Sequence, residues 1–213
     1  MATIDQTTAG LERERIRVRL RVVRAPATVA YVGVLLATTW LLASVSPSVA
    51  RRLLLESSTN LHHLAHEPVR VLVTSAFWVG GWSSFLVWAL LFAAVVAPVE
   101  HRLGTRRTIG VFAAGHVGAT LVVALGLWIG IRVDAIDANV AHALDVGASY
   151  GFFAVAAVGV LLLRGRLRVF GATPILAFLA ASIAVDPDFT AFGHLVAAAI
   201  GIAVYPLVRR RAA

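Results

Sequence analysis

Long apolar stretches alternate with short polar connectors along almost the whole chain. The runs at 29–45, 83–99, 108–131, 147–163, 169–185 and 190–208 each approach the roughly 18–20 residues that a helix needs to cross a hydrocarbon core of about 30 Å. A semi-apolar stretch at 71–82 leads into the second of them. The pattern predicts an all-α, polytopic membrane protein with six transmembrane helices. Ser48-Val49-Ala50 after the first run imitates a signal-peptide cleavage site. The run is longer than the usual apolar signal core of about 7–15 residues, so it is read as a retained helix.

Composition agrees with a lipid solvent. Apolar residues make up 59% of the 213 positions and charged residues 14%, a balance that could not cover the surface of a water-soluble domain. The net charge of +8 comes from nineteen arginines and no lysine. These sit in short clusters between apolar runs, so no nucleic-acid partner is expected. Fifteen of the arginines fall on one side of the six-span topology: Arg13, Arg15, Arg17, Arg19, Arg21 and Arg24 before the first run, Arg102, Arg106 and Arg107, then Arg164, Arg166 and Arg168, and finally Arg209, Arg210 and Arg211. Only Arg51, Arg52, Arg70 and Arg132 fall on the other. By the positive-inside rule both termini are cytoplasmic. The domains expected are a basic cytoplasmic arm at 1–27, a membrane domain at 28–208 and a short basic tail at 209–213. The expected location is the cell membrane, as a multi-pass protein of a bacterial inner membrane, with the bilayer itself as a partner. With no cysteine in the chain, disulfides, thiolate zinc sites and a cysteine nucleophile are excluded.

Two polar residues inside apolar runs carry candidate chemistry. Gly147-Ala148-Ser149-Tyr150-Gly151 has the form G-x-S-x-G, although the strand and soluble sheet of a nucleophile elbow are missing. Alone, Ser149 reads as a packing residue between small neighbours. His194, beside Gly193, opens the last apolar run, and ionisable residues within a membrane segment tend to be functional. At 1.5 Å per residue, Ser149 lies about 6 Å below Asp145 and His194 about 9 Å below Asp188, so both sit at similar depth. Small-residue faces, Gly147/Gly151/Ala154 on one helix and Gly193/Ala197/Gly201 on the other, allow close approach. Neutral imidazole is suited to take a serine proton at physiological pH. These residues alone fit a catalytic dyad and a structural Ser–His hydrogen bond equally.

A wider set of segments resembles the rhomboid family of intramembrane serine proteases. It comprises Pro68 through Phe77, Gly80-Gly81-Trp82, Val99 through Arg107, Gly147-Ala148-Ser149 and Gly193-His194-Leu195, in matching order and spacing over roughly residues 68–205. The resemblance implies a six-helix bundle in which Ser149 and His194 form a dyad that cleaves transmembrane substrates entering sideways from the bilayer. Phe153 would match an aromatic that packs on the histidine ring, and Gly147 belongs to the nucleophile motif. The sequence also departs from the family. A histidine and an asparagine that help stabilise the oxyanion are replaced by Ser84 and Trp88, and Tyr150 stands where a glycine is usual. Losing one oxyanion donor costs about 10²–10³ in kcat, so turnover would be slow.

The expected activity is therefore hydrolysis of peptide bonds in transmembrane proteins, without cofactor or metal. The alternative is a weak or inactive relative that binds transmembrane clients. A transporter is disfavoured because inverted repeats, broken helices and buried charge sets are not evident. Three of the other histidines, His62, His63 and His66, lie in the outer segment, with His62 and His66 at the i, i+4 spacing that can share a metal, but no further ligand pattern accompanies them. His116 reads as a buried, hydrogen-bonded residue. His142 lies close enough to Ser149 in sequence to be considered as an unusual oxyanion donor, but neither enters the catalytic assignment.

Overall fold

A computed structural model describes residues 25–209. Nearly all of the basic arm and the tail lie outside the described residues. Among the described residues nine α-helices follow one another: α1 Pro26–Ser44, α2 Pro47–Glu56, α3 Leu61–His66, α4 Pro68–Thr74, α5 Trp82–Leu103, α6 Thr105–Arg132, α7 Ser149–Leu162, α8 Arg166–Val185 and α9 Phe189–Arg209. Among the described residues there is no strand. Proline opens α1, α2 and α4, where its fixed φ suits a helical first turn and its missing N–H leaves no bond unmade.

Five helices, α1, α5, α6, α8 and α9, are long and apolar enough to cross a membrane. The remaining apolar run, the fourth at 147–163, becomes α7, which has 14 residues and is about 21 Å long, short of a full crossing. It does not need that length. Every residue from Tyr150 to Val158 is buried, because α7 runs through the middle of the bundle, chiefly against α6 and α9. Its last turn meets the arginine-rich connector at 164–168, so its first turn, with Ser149, begins below the opposite face.

Small residues allow this central packing. A Cβ on Gly201 of α9 would lie 2.2 Å from the Ala154 carbonyl oxygen, and one on Gly115 of α6 would lie 2.2 Å from Ala154 Cβ. The predicted facing of α7 and α9 is thus present at Ala154 and Gly201, but its α7 side is different. The open side of Gly151 is filled by Phe112 of α6, while Tyr150 fills the space beside Gly193. The α7 face turned to α9 is Tyr150/Ala154, not Gly147/Gly151.

Two polar clamps fix the ends. At the arginine-rich end the buried Glu100 carboxylate accepts from Ala27 N (2.9 Å), Thr28 N (2.8 Å), Thr28 Oγ1 (2.7 Å) and Thr105 Oγ1 (2.8 Å). It caps α1, whose own preceding residue offers no side-chain cap, and matches the positive end of that helix. At the other end Thr59 N donates to the Asp145 carbonyl (3.0 Å) and Asp145 N to Ser58 Oγ (2.8 Å), tying the connector after α2 to the one before α7. Within α5, Phe92–Val96 widens into a π-turn, and Pro98 just beyond cannot donate the helical bond back into it.

The semi-apolar stretch at 71–82 forms the end of α4, a 3₁₀ turn at Ser75–Phe77 and an irregular link to α5. Its carbonyls are met by side chains of neighbouring helices. Tyr31 Oη donates to Ala76 O, and Thr38 Oγ1 to Phe77 O at 2.7 Å. Irregular backbone persists at membrane depth because protein satisfies its polar groups.

Candidate functional site

Ser149 is the first residue of α7, set there by the turn at Gly147, whose φ of +142° lies in the region that favours glycine. The Gly147 amide donates to Ser75 O at 2.8 Å, which fastens the segment before Ser149 to the 3₁₀ turn. No side chain caps α7, so the amides of its first turn are free to face negative charge.

Ser149 borders a cavity of about 60 Å³ shared with Thr59, His116, Thr120, Asp145 and Tyr150. His116 Nε2 lies 3.1 Å from both Ser75 Oγ and Leu72 O. A carbonyl can only accept, so Nε2 carries the ring proton and Nδ1 is left as a bare acceptor. His116 Nδ1, Thr120 Oγ1 and Tyr150 Oη are all buried without a hydrogen-bond partner, and all three residues line this cavity. Its volume and polar walls are what ordered water requires. The expectation that His116 is buried and hydrogen-bonded agrees with these contacts.

His194 lies on α9, buried against an aromatic wall. Its ring centroid is 4.6 Å from Phe153, 5.6 Å from Tyr150 and 5.9 Å from Phe178. Of these rings, Phe153 is the one nearest the imidazole. Neither ring nitrogen of His194 has a partner, and no hydrogen bond joins it to Ser149. It borders a different, more open cavity of about 260 Å³, with Ser182, Asp186, Asp188 and Thr190. Thr190 touches both cavities. Tyr150 lies against Gly193 and edge-on to His194, so the residue that replaces the usual glycine occupies the space next to the histidine.

The two expected oxyanion residues have other neighbours. Trp88 is packed edge-on to Phe152 at 5.4 Å and against Phe92 at 6.3 Å, and Ser84 stands beside Gly80. Neither borders the Ser149 cavity. Gly147 does.

The outer histidines form a ring cluster. His62 is 4.8 Å from His66, 5.5 Å from His63 and 5.3 Å from His142, and His66 Nδ1 is 2.7 Å from the His62 carbonyl. His142 therefore belongs to this surface cluster rather than to the Ser149 cavity. Sequence reading missed the Thr59–Asp145 pair, in which Thr59 Oγ1 donates to Asp145 Oδ2 at 3.0 Å. Burial, reinforced by the negative charge of Asp188 and opposed by the Thr59 bond, pushes the Asp145 carboxyl up from 3.8 to about 6. Nothing in the spacing of residues 59 and 145 signals this contact.

The order of elements, the short buried helix headed by Ser149 and the histidine on the last helix form one architecture. No curated protein and no solved structure matches the chain. The family model described as rhomboid-like protein matches residues 20–213, and the chain belongs to that family of multi-pass membrane proteins.

Proposed function

We propose that the chain is an intramembrane serine protease acting on transmembrane proteins, with Ser149 as nucleophile and His194 as base. The observation that carries this reading is the pairing of a cavity-facing serine at an uncapped helix N-terminus with an unpartnered buried histidine. That histidine is held on Phe153, one turn below the serine. A buried imidazole with neither nitrogen bonded is costly as a structural element. As a base waiting for its proton it has a use, and catalytic hydrogen bonds are often open before substrate arrives.

In the reaction Ser149 Oγ attacks the scissile carbonyl carbon as its proton passes to His194. The carbonyl becomes an oxyanion facing the first-turn amides of α7, which supply donors where Ser84 and Trp88 do not. Collapse breaks the C–N bond, and the imidazolium gives its proton to the leaving amine. Water then hydrolyses the acyl ester and regenerates Ser149.

A second reading, binding of transmembrane clients without cleavage, is favoured by the packing of Trp88 on Phe152 and by the open Ser149–His194 pair. A fluorophosphonate probe on the purified protein separates the two. The protease should form a covalent adduct slowly, and Ser149→Ala and His194→Ala should each abolish it. Ser84→His combined with Trp88→Asn should speed both labelling and cleavage of a transmembrane substrate. A folded protein that neither labels nor cleaves, even with both donors restored, would overturn the protease reading and favour client binding.

A further inference from the structure

An apolar groove of about 450 Å³ lies between α1 and α6, away from Ser149. Its α1 wall includes Ala30, Tyr31 and Val34, its α6 wall Ile109, Ala113 and Val117, and the turn at Ala76 and Phe77 closes its inner end. On α6 the lining runs from Thr108 to Val117, a rise of about 14 Å. That is one leaflet of a hydrocarbon core about 30 Å thick. A groove of that length matches an acyl chain from one leaflet, whereas a transmembrane helix, which needs about 30 Å, would run on past its inner end.

We propose that this groove binds one anionic phospholipid from the leaflet on the arginine-rich side, with an acyl chain along α1 and α6 and the phosphate at Arg106. Arg106 precedes Ile109, Ala113 and Val117 by three, seven and eleven residues, so it heads the same stripe of the helix. It is exposed, as is Arg102 in the preceding turn. Glu100 also borders the groove, but its carboxylate oxygens are occupied by the amides and hydroxyls that cap α1. The positive side chain at the mouth complements a phosphate, and the apolar walls complement the tail. The site also reaches the chemistry. His116 borders both this groove and the Ser149 cavity, so a seated tail would touch the imidazole that bonds Ser75.

The test uses the full chain in phosphatidylcholine vesicles containing phosphatidylglycerol and a polyleucine transmembrane peptide, with a benzophenone amino acid at Val34, an exposed residue on the groove wall. Irradiation followed by mass spectrometry should find phosphatidylglycerol adducts enriched several-fold over that lipid's share of the vesicle. Arg106→Gln should lower the enrichment about fivefold, since a basic residue near an anionic surface is worth that factor in affinity. Ala113→Trp, which fills the groove, should abolish the lipid adduct, while Leu121→Trp, outside the groove on an exposed face of α6, should leave it unchanged. Adducts in proportion to bulk lipid composition would overturn the proposal. Adducts to the peptide or to a second copy of the chain would overturn it in favour of a protein occupant. Arg106→Gln changes an exposed side chain, so its result decides the headgroup assignment even if Ala113→Trp fails to fold.

Discussion

Replacing Gly201 with alanine places a methyl group where α9 meets the backbone of α7. The added Cβ would lie 2.2 Å from the Ala154 carbonyl oxygen and 2.9 Å from both its carbonyl carbon and Cα. Backbone atoms cannot swing aside as a side chain would, so α9 must retreat by roughly 1 Å to restore ordinary contact. Overpacking of this kind costs about 1–3 kcal/mol, and the rigid neighbour argues for the upper part of that range. Against it stands the helix preference for alanine over glycine, worth about 1 kcal/mol. The net expectation is a loss of about 2 kcal/mol, or a fall in Tm of about 4–8 °C for a chain of this size. Gly126 in α6 is the internal control, because a Cβ there meets nothing within 4 Å. Gly126→Ala should hold or raise the Tm, giving the opposite sign for the same chemical change. The assay is thermal unfolding in one detergent, followed by intrinsic fluorescence and by aggregation. An unchanged or higher Tm for Gly201→Ala would refute the close α7–α9 contact, and an equal fall in both variants would show that glycine content, rather than packing, sets the outcome.

Asp145 predicts a pH dependence. Its folded carboxyl is raised from 3.8 to about 6, so the fold binds the proton more tightly than the unfolded chain does. Stability from this group is full below pH 4, declines between about pH 4 and 6, and is level above. Asp145→Asn keeps an acceptor for Thr59 and should flatten the fall of Tm over that interval; a variant that retains the wild-type slope would exclude Asp145 as its source. The topology is testable without background labelling, since the chain has no cysteine. Asp137→Cys should react with an impermeant maleimide added outside the cell and Arg166→Cys should not, whereas the reverse would invert the orientation read from the arginines.

The spans were legible because lipid imposes a length on apolar runs. The shortness of α7 was not legible, because 147–163 is apolar throughout and hydropathy cannot distinguish a helix facing lipid from one enclosed by other helices. What sets its limits is local backbone, the turn at Gly147 before it and Gly165, with φ +54°, after it. The stretch at 71–82 was ambiguous for a related reason. Its polar groups are met by Tyr31, Thr38 and His116, which lie between 39 and 45 residues away from their partners in sequence.

The arrangement of Ser149 and His194 shows where one-dimensional arithmetic stops. Rise per residue fixes depth along a helix axis, and by that measure the two residues belong to the same level. Azimuth is set by packing, and each successive residue turns about 100° around the axis. Choosing Tyr150 and Ala154 as the face toward α9 turns Ser149 toward the cavity shared with α6, where His116 and Thr120 stand. The same choice places Phe153 on the His194 ring. Tyr150 is thus the residue that connects two observations read separately in the sequence: it fills the notch at Gly193 that a smaller neighbour of the serine would leave open, and it lies edge-on to the ring of His194. In the proposed protease, slow chemistry would have two physical sources: neither Ser84 nor Trp88 borders the cavity of Ser149, and Tyr150 packs edge-on to the ring of the proposed base.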